Sequence, residues 1–333
     1  MINSSKRRAL LAAAMAAQIF GGWVALGSAH AQVPWPNGQP IKIMVGFPAG
    51  GASDVMARLV GTKLGQALGV PVVVDNRPGA AGTLAASLTA KAPADGYTLL
   101  LASPTAITLA PSTLAGKLAY NPEKDLVPVS MVARYPLFLI AHPQLGVKNA
   151  AELVQKAKAN PGKINFGSFG TVTSGGLAVE QIKLMAGIDV LHVPFNGSAP
   201  ALQALMGGTV DVMFDTAITA LPNIRAGKLI GLGVASPTRS PLAPELPTVA
   251  EAVPGFEADS WNGLMVPAGT PAPVLARLQA EIAKLVRETE VRERFASVGA
   301  VPIGNSTAEF AKFLKEETVS YTRLVREAKI KVD

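Results

Sequence analysis

Cysteine is absent from the 333 residues. No disulfide framework can hold the fold and no thiol offers a lipid attachment point, so the hydrophobic core must hold the chain unaided. Histidine occurs three times, and only His142 and His192 lie beyond the N-terminal segment. His142 precedes a proline just after an apolar run, and His192 sits inside Val190-Leu191-His192-Val193. Each reads as a hydrogen-bonded packing residue, and no His/Asp/Glu spacing suits a metal ion. There is no G-x-S-x-G elbow, no P-loop and no G-x-G-x-x-G after a strand. Ser168-Phe169-Gly170 resembles a nucleophile turn, but no histidine is evidently placed to act as its base. The basic residues are scattered, without a dense run or interleaved aromatics, which argues against a nucleic-acid surface. The reading is a protein with no catalytic residues, no metal and no cofactor.

The N-terminus does carry a pattern. Lys6-Arg7-Arg8 precedes an uncharged apolar run from Ala9 to Leu26, and Ala29-His30-Ala31 follows. Basic, apolar and small-residue segments in that order predict a secretory signal peptide over residues 1–31, cleaved after Ala31. An N-terminal membrane anchor is the competing reading, disfavoured by Gly21-Gly22 and the A-x-A ending. Both the general secretory and the twin-arginine routes fit Arg7-Arg8. Three of the formal +7 charges are Lys6, Arg7 and Arg8, and residues 1–31 hold no acid, which leaves +4 on the mature chain. No later run is long and apolar enough to span a bilayer. A soluble, unlipidated periplasmic protein is expected.

The stretch that organises the mature chain is Ile41 to Leu68. A short β-branched run, Ile41 to Val45, leads into the turn Phe47-Pro48-Ala49-Gly50-Gly51. Ser53 then stands as the expected N-cap of a helix with Val55, Met56, Leu59, Val60, Leu64 and Leu68 at helical spacing. A strand, glycine turn and helix in this order aim backbone N–H groups and a helix dipole at one spot, where a carboxylate is at home. The same glycines serve equally to reverse the chain, and the motif alone does not separate the two.

The same alternation continues: strands at Val72–Val74, Thr98–Ala102, Leu137–Ala141, Ile164–Gly167, Val190–Val193, Val210–Phe214 and Leu229–Ala235, with helices between them and at the end of the chain. Alternation of this kind predicts parallel α/β sheets covered on both faces, with ligands beyond the carboxyl ends of the strands. Those ends are rich in small polar residues: Ser103, Thr105, Ser168, Gly170, Thr171, Asn196, Gly197, Asp215 and Thr216. Asp215 ends an otherwise apolar strand, which points to a hydrogen-bond acceptor at the cleft; a plain strand-end turn is the alternative.

Several motifs then occur in a distinctive order. They are Val45-Gly46-Phe47-Pro48-Ala49-Gly50-Gly51-Ala52-Ser53-Asp54, Asp75-Asn76-Arg77-Pro78-Gly79, Ala94-Asp95-Gly96-Tyr97-Thr98, Phe166-Gly167-Ser168-Phe169-Gly170 and Val193-Pro194-Phe195-Asn196-Gly197. Over essentially the whole mature chain the sequence resembles the Bug family, the extracytoplasmic solute receptors of tripartite tricarboxylate transporters. The resemblance implies a type II periplasmic-binding-protein fold: two α/β lobes joined by two crossing strands, closing like a hinge on a ligand cleft. The implied crossings fall near Val132–Tyr135 and Asp259–Gly263, with lobe one at 32–134 plus 260–333 and lobe two at 135–259. The implied ligand is a small carboxylate (di- or tricarboxylate, acidic amino acid or aromatic acid) held with bridging waters and without an arginine clamp. Carried over by position, lobe-one contacts are Phe47, Ala49, Gly50, Gly51 and Ser103. Lobe-two contacts are Ser168, Gly170, Thr171, Thr173, Asn196 and Asp215. The implied partners are the transporter's membrane subunits or a two-component sensor kinase, and the implied state is a monomer; a periplasmic α/β hydrolase is the alternative of a different class. One departure from the family concerns Val172 and Gly176, which stand where a glycine and a histidine are usual. Val172 is expected to add apolar bulk beside the cleft, leaving room for a partly apolar acid.

Overall fold

A computed structural model of the protein describes residues 35–114, 116–297 and 299–327. The expected signal segment and its expected cleavage site lie outside the described residues. Residues from Gly38 onward form one compact unit that holds every element below.

The chain opens with β1 (Ile41–Val45), α1 (Ala52–Leu68), β2 (Val72–Asn76), α2 (Thr83–Ala90) and β3 (Thr98–Ala102). β4 (Leu126–Ala141) follows, then α3 (Ala150–Ala159), β5 (Asn165–Ser168), α4 (Ser174–Ala186), β6 (Leu191–Pro194) and α5 (Ser198–Met206). β7 (Val212–Thr216), α6 (Ala217–Arg225), β8 (Ile230–Val234) and β9 (Asp259–Pro267) come next. The chain then runs through α7 (Ala272–Leu285), α8 (Thr289–Ser297), β10 (Val301–Pro302) and α9 (Thr307–Glu327).

The strand order is β2-β1-β3-β9-β4-β7-β5-β6, with β8 and β10 also pairing β4. Parallel pairing is confined to the two ends, β2-β1-β3 and β7-β5-β6. Between them β3, β9, β4 and β7 are antiparallel, a departure from the wholly parallel sheets expected. β4 explains the geometry: Leu126 to Pro136 pair with β9, and from Leu137 on the strand runs between β7 and β8. Leu137–Ala141 is thus the tail of a 16-residue strand and not a strand of its own. Two half-sheets share this strand, which makes the fold a two-lobed one.

Each half-sheet is apolar on both faces, as strands covered by helices must be. In β1, Ile41, Ile43 and Val45 are wholly buried and Met44 nearly so. α1 covers that half-sheet with Met56, Val60 and Leu64, and stops where Gly69 turns left-handed (φ 70°) and returns its N–H to the Gly65 carbonyl at 2.9 Å. On the other half-sheet Phe166, Phe214 and Phe256 stack at 5.5 and 5.4 Å between centroids, and Phe138, Ile140 and Met213 pack on the opposite side.

Two local expectations change. α1 begins at Ala52 with Gly51, not Ser53, as its N-cap. β7 runs through Asp215 and Thr216, which were expected to stop it. Asn149 caps α3 by accepting the Glu152 amide at 2.9 Å, but the Glu152 carboxylate reaches back to the Lys148 amide at 2.8 Å, one residue further than a capping box requires.

Candidate functional site

The strand ends and the helices that leave them enclose a cavity of about 50 Å³. Phe47, Pro48 and Gly51 of the β1–α1 turn line one side, with Ala52 and Ser53 of α1. Ser103 and Thr105 come from the turn after β3, and Tyr135 and Ser260 from the crossing strands β4 and β9. The opposite side is Phe169 and Ser174 around the start of α4, Gly197, Ser198 and Ala199 at the start of α5, and Asp215 and Thr216 at the end of β7.

Four helices, α1, α4, α5 and α6, therefore start at one small space. Gly51, Gly197 and Thr216 are the N-cap residues of α1, α5 and α6, and none supplies a side-chain cap. Helix N-termini carry partial positive charge and N–H groups without intrahelical partners, so their convergence suits an anion. Among the described residues no lysine, arginine or histidine lines the cavity. The carboxyl in its lining is that of Asp215, which is wholly buried. The Asp215 carboxylate accepts from Ser198 Oγ at 2.7 and 2.9 Å and from the Thr216 amide at 2.8 Å. Burial pushes its pKa up to about 6, and the hydrogen bonds of Ser198, Thr219 and the Thr216 amide offset only part of that rise. Asp215 thereby fixes the first turns of both α5 and α6.

Of the residues carried over by position, Phe47, Gly51, Ser103 and Asp215 line the cavity and seven do not. Ala49 and Gly50 are exposed, and the Gly50 N–H is turned to Asp54 Oδ2 at 2.9 Å. Arg58 Nε bonds the same oxygen at 3.0 Å, and Arg58 Nη2 lies 2.9 Å from Oδ1 as an ion pair. Burial opposes the charge on Asp54, yet Arg58 and the Gly50 amide outweigh it and hold this carboxyl below the usual range. Asp54 is thus a staple for the turn as well as a dipole partner. Thr173 caps α4, accepting the Gly176 amide at 3.2 Å, and Asn196 is exposed. Gly170 and Thr171 form the loop that leads to that cap.

Ser168 has a role that the sequence did not disclose. Its Oγ lies 2.7 Å from His192 Nε2, and His192 Nδ1 lies 3.0 Å from Glu180 Oε1. A histidine does stand beside this serine, contrary to expectation. The carboxylate can only accept, so Nδ1 carries the proton, and in the neutral imidazole Nε2 accepts from the Ser168 hydroxyl. Ser168 Oγ in turn accepts the Gly170 amide at 3.3 Å. Ser168 is wholly buried and off the cavity, so this serine–histidine–glutamate row has no approach for a substrate and serves as a clasp for the loop. Burial works against ionised Glu180, but His192 and Lys183 outweigh it and keep its pKa low.

Val172 is buried and does not line the cavity; the apolar bulk beside it is Phe169 instead. Gly176 is a glycine of necessity: a Cβ there would come within 2.2 Å of the Gly170 carbonyl oxygen. The loop lies where a side chain at 176 would go. Tyr135, Ser174, Ser198 and Ser260 were missed, although the serines at two helix starts are signals of the kind that picked out Ser103. Tyr135 and Ser260 carry no local signal, because only the register of β4 on β9 pairs them.

Among the described residues no three His, Asp or Glu side chains gather as a metal ion would require. Nor is any helix there long and apolar enough to cross a membrane.

The profile of the tripartite tricarboxylate transporter family receptors, TctC, matches residues 56–330. Protein BugT of Bordetella pertussis is 37% identical over 295 residues, which span 88% of this chain and 90% of BugT. Among solved structures, R. palustris Rpa4515 with adipate superposes with a TM-score of 0.85 at 32% identity, covering 89% of this chain and 99% of that one. MatC from Rhodopseudomonas palustris with bound malate gives 0.80 at 33% identity, covering 86% and 98%. Members of this family are solute-binding receptors and not enzymes, which also removes the hydrolase alternative. The chain belongs to the tripartite tricarboxylate transporter family receptors, the Bug-type solute receptors that its motifs resemble.

Proposed function

We propose that this receptor works in the periplasm, after cleavage following Ala31, capturing a small carboxylate in the cavity and presenting it to the membrane subunits of a transporter. The observation that carries the reading is the meeting of four helix N-termini, three without a side-chain cap, at a space without a cation. Backbone N–H groups and serine hydroxyls replace an arginine clamp. The two related receptors solved with adipate and with malate support a carboxylate. Capture is a hinge motion about the crossing strands, with lobe one at 32–134 plus 260–333 and lobe two at 135–259. Tyr135 and Ser260, paired across β4 and β9, touch the cavity at that crossing, which couples ligand contact to hinge angle.

The test is a thermal-shift and calorimetric screen against succinate, adipate, malate, citrate, glutamate and benzoate, with small-angle scattering of the free and loaded protein. The reading expects a saturable rise in Tm with at least one acid and a smaller radius of gyration on binding. No shift with any carboxylate at millimolar concentration overturns it.

A further inference from the structure

The cavity wall carries a more specific message about the ligand, which rests on the receptor reading above. We infer that the ligand is an aromatic monocarboxylate, and that Phe169, seated on Gly175, selects for its ring.

Three rings face the space, each held by a different lock. Phe169 lies on the first turn of α4, over Gly175. A Cβ at 175 would stand 2.4, 2.7 and 2.9 Å from three carbons of that ring, so the ring occupies its place only because position 175 is glycine. On either side of Phe169 the backbone is fixed: Ser168 is clasped by His192, and Gly170 takes a φ of 140° that other residues rarely adopt. Tyr135 spends its hydroxyl on Asn262 Oδ1 at 2.7 Å, which leaves its ring as the surface the cavity meets. Phe47 is seated over Gly82, where a Cβ would meet its ring at 3.4 Å. Fixed rings suit a flat apolar body, since aromatic contacts reward a rigid partner face.

Charge points the same way. The helix N-termini favour a carboxylate, and among the described residues the lining holds no basic side chain. The charged group the cavity does contain is the Asp215 carboxyl, buried and of the wrong sign. A second carboxylate placed against the rings or beside Asp215 costs free energy. An aromatic acid places one carboxylate at the N-termini and its ring among Phe47, Tyr135 and Phe169.

The experiment is calorimetry on the intact protein with benzoate, adipate, malate and citrate, repeated on Phe169→Ala, Phe169→Leu and Gly175→Val. Circular dichroism checks that each variant is folded. Wild type should bind benzoate more tightly than each aliphatic acid. Phe169→Ala should lose about ten-fold in benzoate affinity, the loss of an aromatic contact. Phe169→Leu should lose less, and Gly175→Val should match Phe169→Ala by displacing the ring. Tighter binding of an aliphatic acid than of benzoate overturns the inference and leaves the receptor reading standing. An unchanged benzoate affinity in folded Phe169→Ala removes Phe169 as the selector. Failure of every acid to bind takes the inference down together with the receptor reading.

Discussion

At the scale of single residues, Asp215 has the most to lose. Its buried carboxyl receives Ser198 and the Thr216 amide, groups that begin two of the helices facing the cavity. Asp215→Ala leaves those donors buried without a partner, and the expected result is a loss of about 1–3 kcal/mol in ligand binding, with a fall in Tm. An unchanged dissociation constant by calorimetry would place Asp215 outside the binding machinery. Gly51 gives a contrasting case. A Cβ there meets only the Pro48 carbonyl oxygen at an ordinary 3.5 Å, and φ is −81°, so the fold accepts a side chain. Gly51→Val should therefore stay folded and lose the Tm rise with ligand, because the added methyls enter the cavity. Ala80 and Ala81 show strain of another kind: their φ angles of 45° and 54° lie in the left-handed region. Ala81→Gly relieves about 1–2 kcal/mol of steric cost and gives back about 0.4–1 kcal/mol through a freer unfolded chain. Urea unfolding should show a net gain of roughly 0.5–1 kcal/mol.

Among elements, the loop from Ser168 to Thr173 is held by groups distant in sequence: His192 on β6 and Glu180 on α4. His192→Ala should leave the Ser168 hydroxyl without its acceptor and loosen the loop, seen as faster amide exchange at Gly170 and weaker ligand binding. Ser168→Ala should produce no change in turnover of any ester or acid, since there is none to change. This clasp also shows where reading the sequence stops. The β1–α1 unit was legible because strand, turn and helix are consecutive and each carries its own periodicity. The strand-end hydroxyls were legible for the same reason, and Ser103 and Asp215 line the cavity. What escaped was everything set by register between distant strands. His192 meets Ser168 because β5 and β6 pair in parallel, and Tyr135 meets Ser260 because β4 and β9 pair antiparallel. The Gly50 amide was assigned to a ligand, although a buried acid four residues on, Asp54, was the nearer acceptor.

Across the whole molecule, pH acts through carboxyls buried in different ways. Glu317 on α9 accepts from the Trp261 indole at 2.8 Å and from the Thr108 hydroxyl at 2.7 Å, joining α9 to β9 and to the segment after β3. Burial pushes its pKa up to about 7, outweighing the hydrogen bonds of Thr108 and Trp261. An acid whose folded pKa is raised binds its proton more tightly folded than unfolded, so stability falls as pH rises from the unfolded pKa toward the folded one and is level above it. Asp215, at about 6, acts in the same direction. Depressed carboxyls such as Asp54 and Glu180 act oppositely and cost stability only as pH falls below the ordinary carboxylate range. The expected curve has its maximum near pH 5 and declines toward pH 7.5. Glu317→Gln should flatten that decline by roughly 1–2 kcal/mol. A wild-type Tm that climbs between pH 5 and 7.5 would contradict the assignment.

The long shared strand has a consequence in time as well as in space. β3 ends at Ala102, but β9, which covers its edge, begins only at Asp259. A chain emerging from the ribosome makes every strand of the half-sheet β7-β5-β6 before it can finish the half-sheet it started with. Closing so long a loop is entropically slow, and an unpaired edge invites wrong partners. Pulse-labelled hydrogen exchange during refolding should find β5 and β7 protected before β3, with the last amides to slow being those of Leu100 to Ala102 against Gly263 to Met265. The sheet that the sequence writes first is the one the molecule completes last.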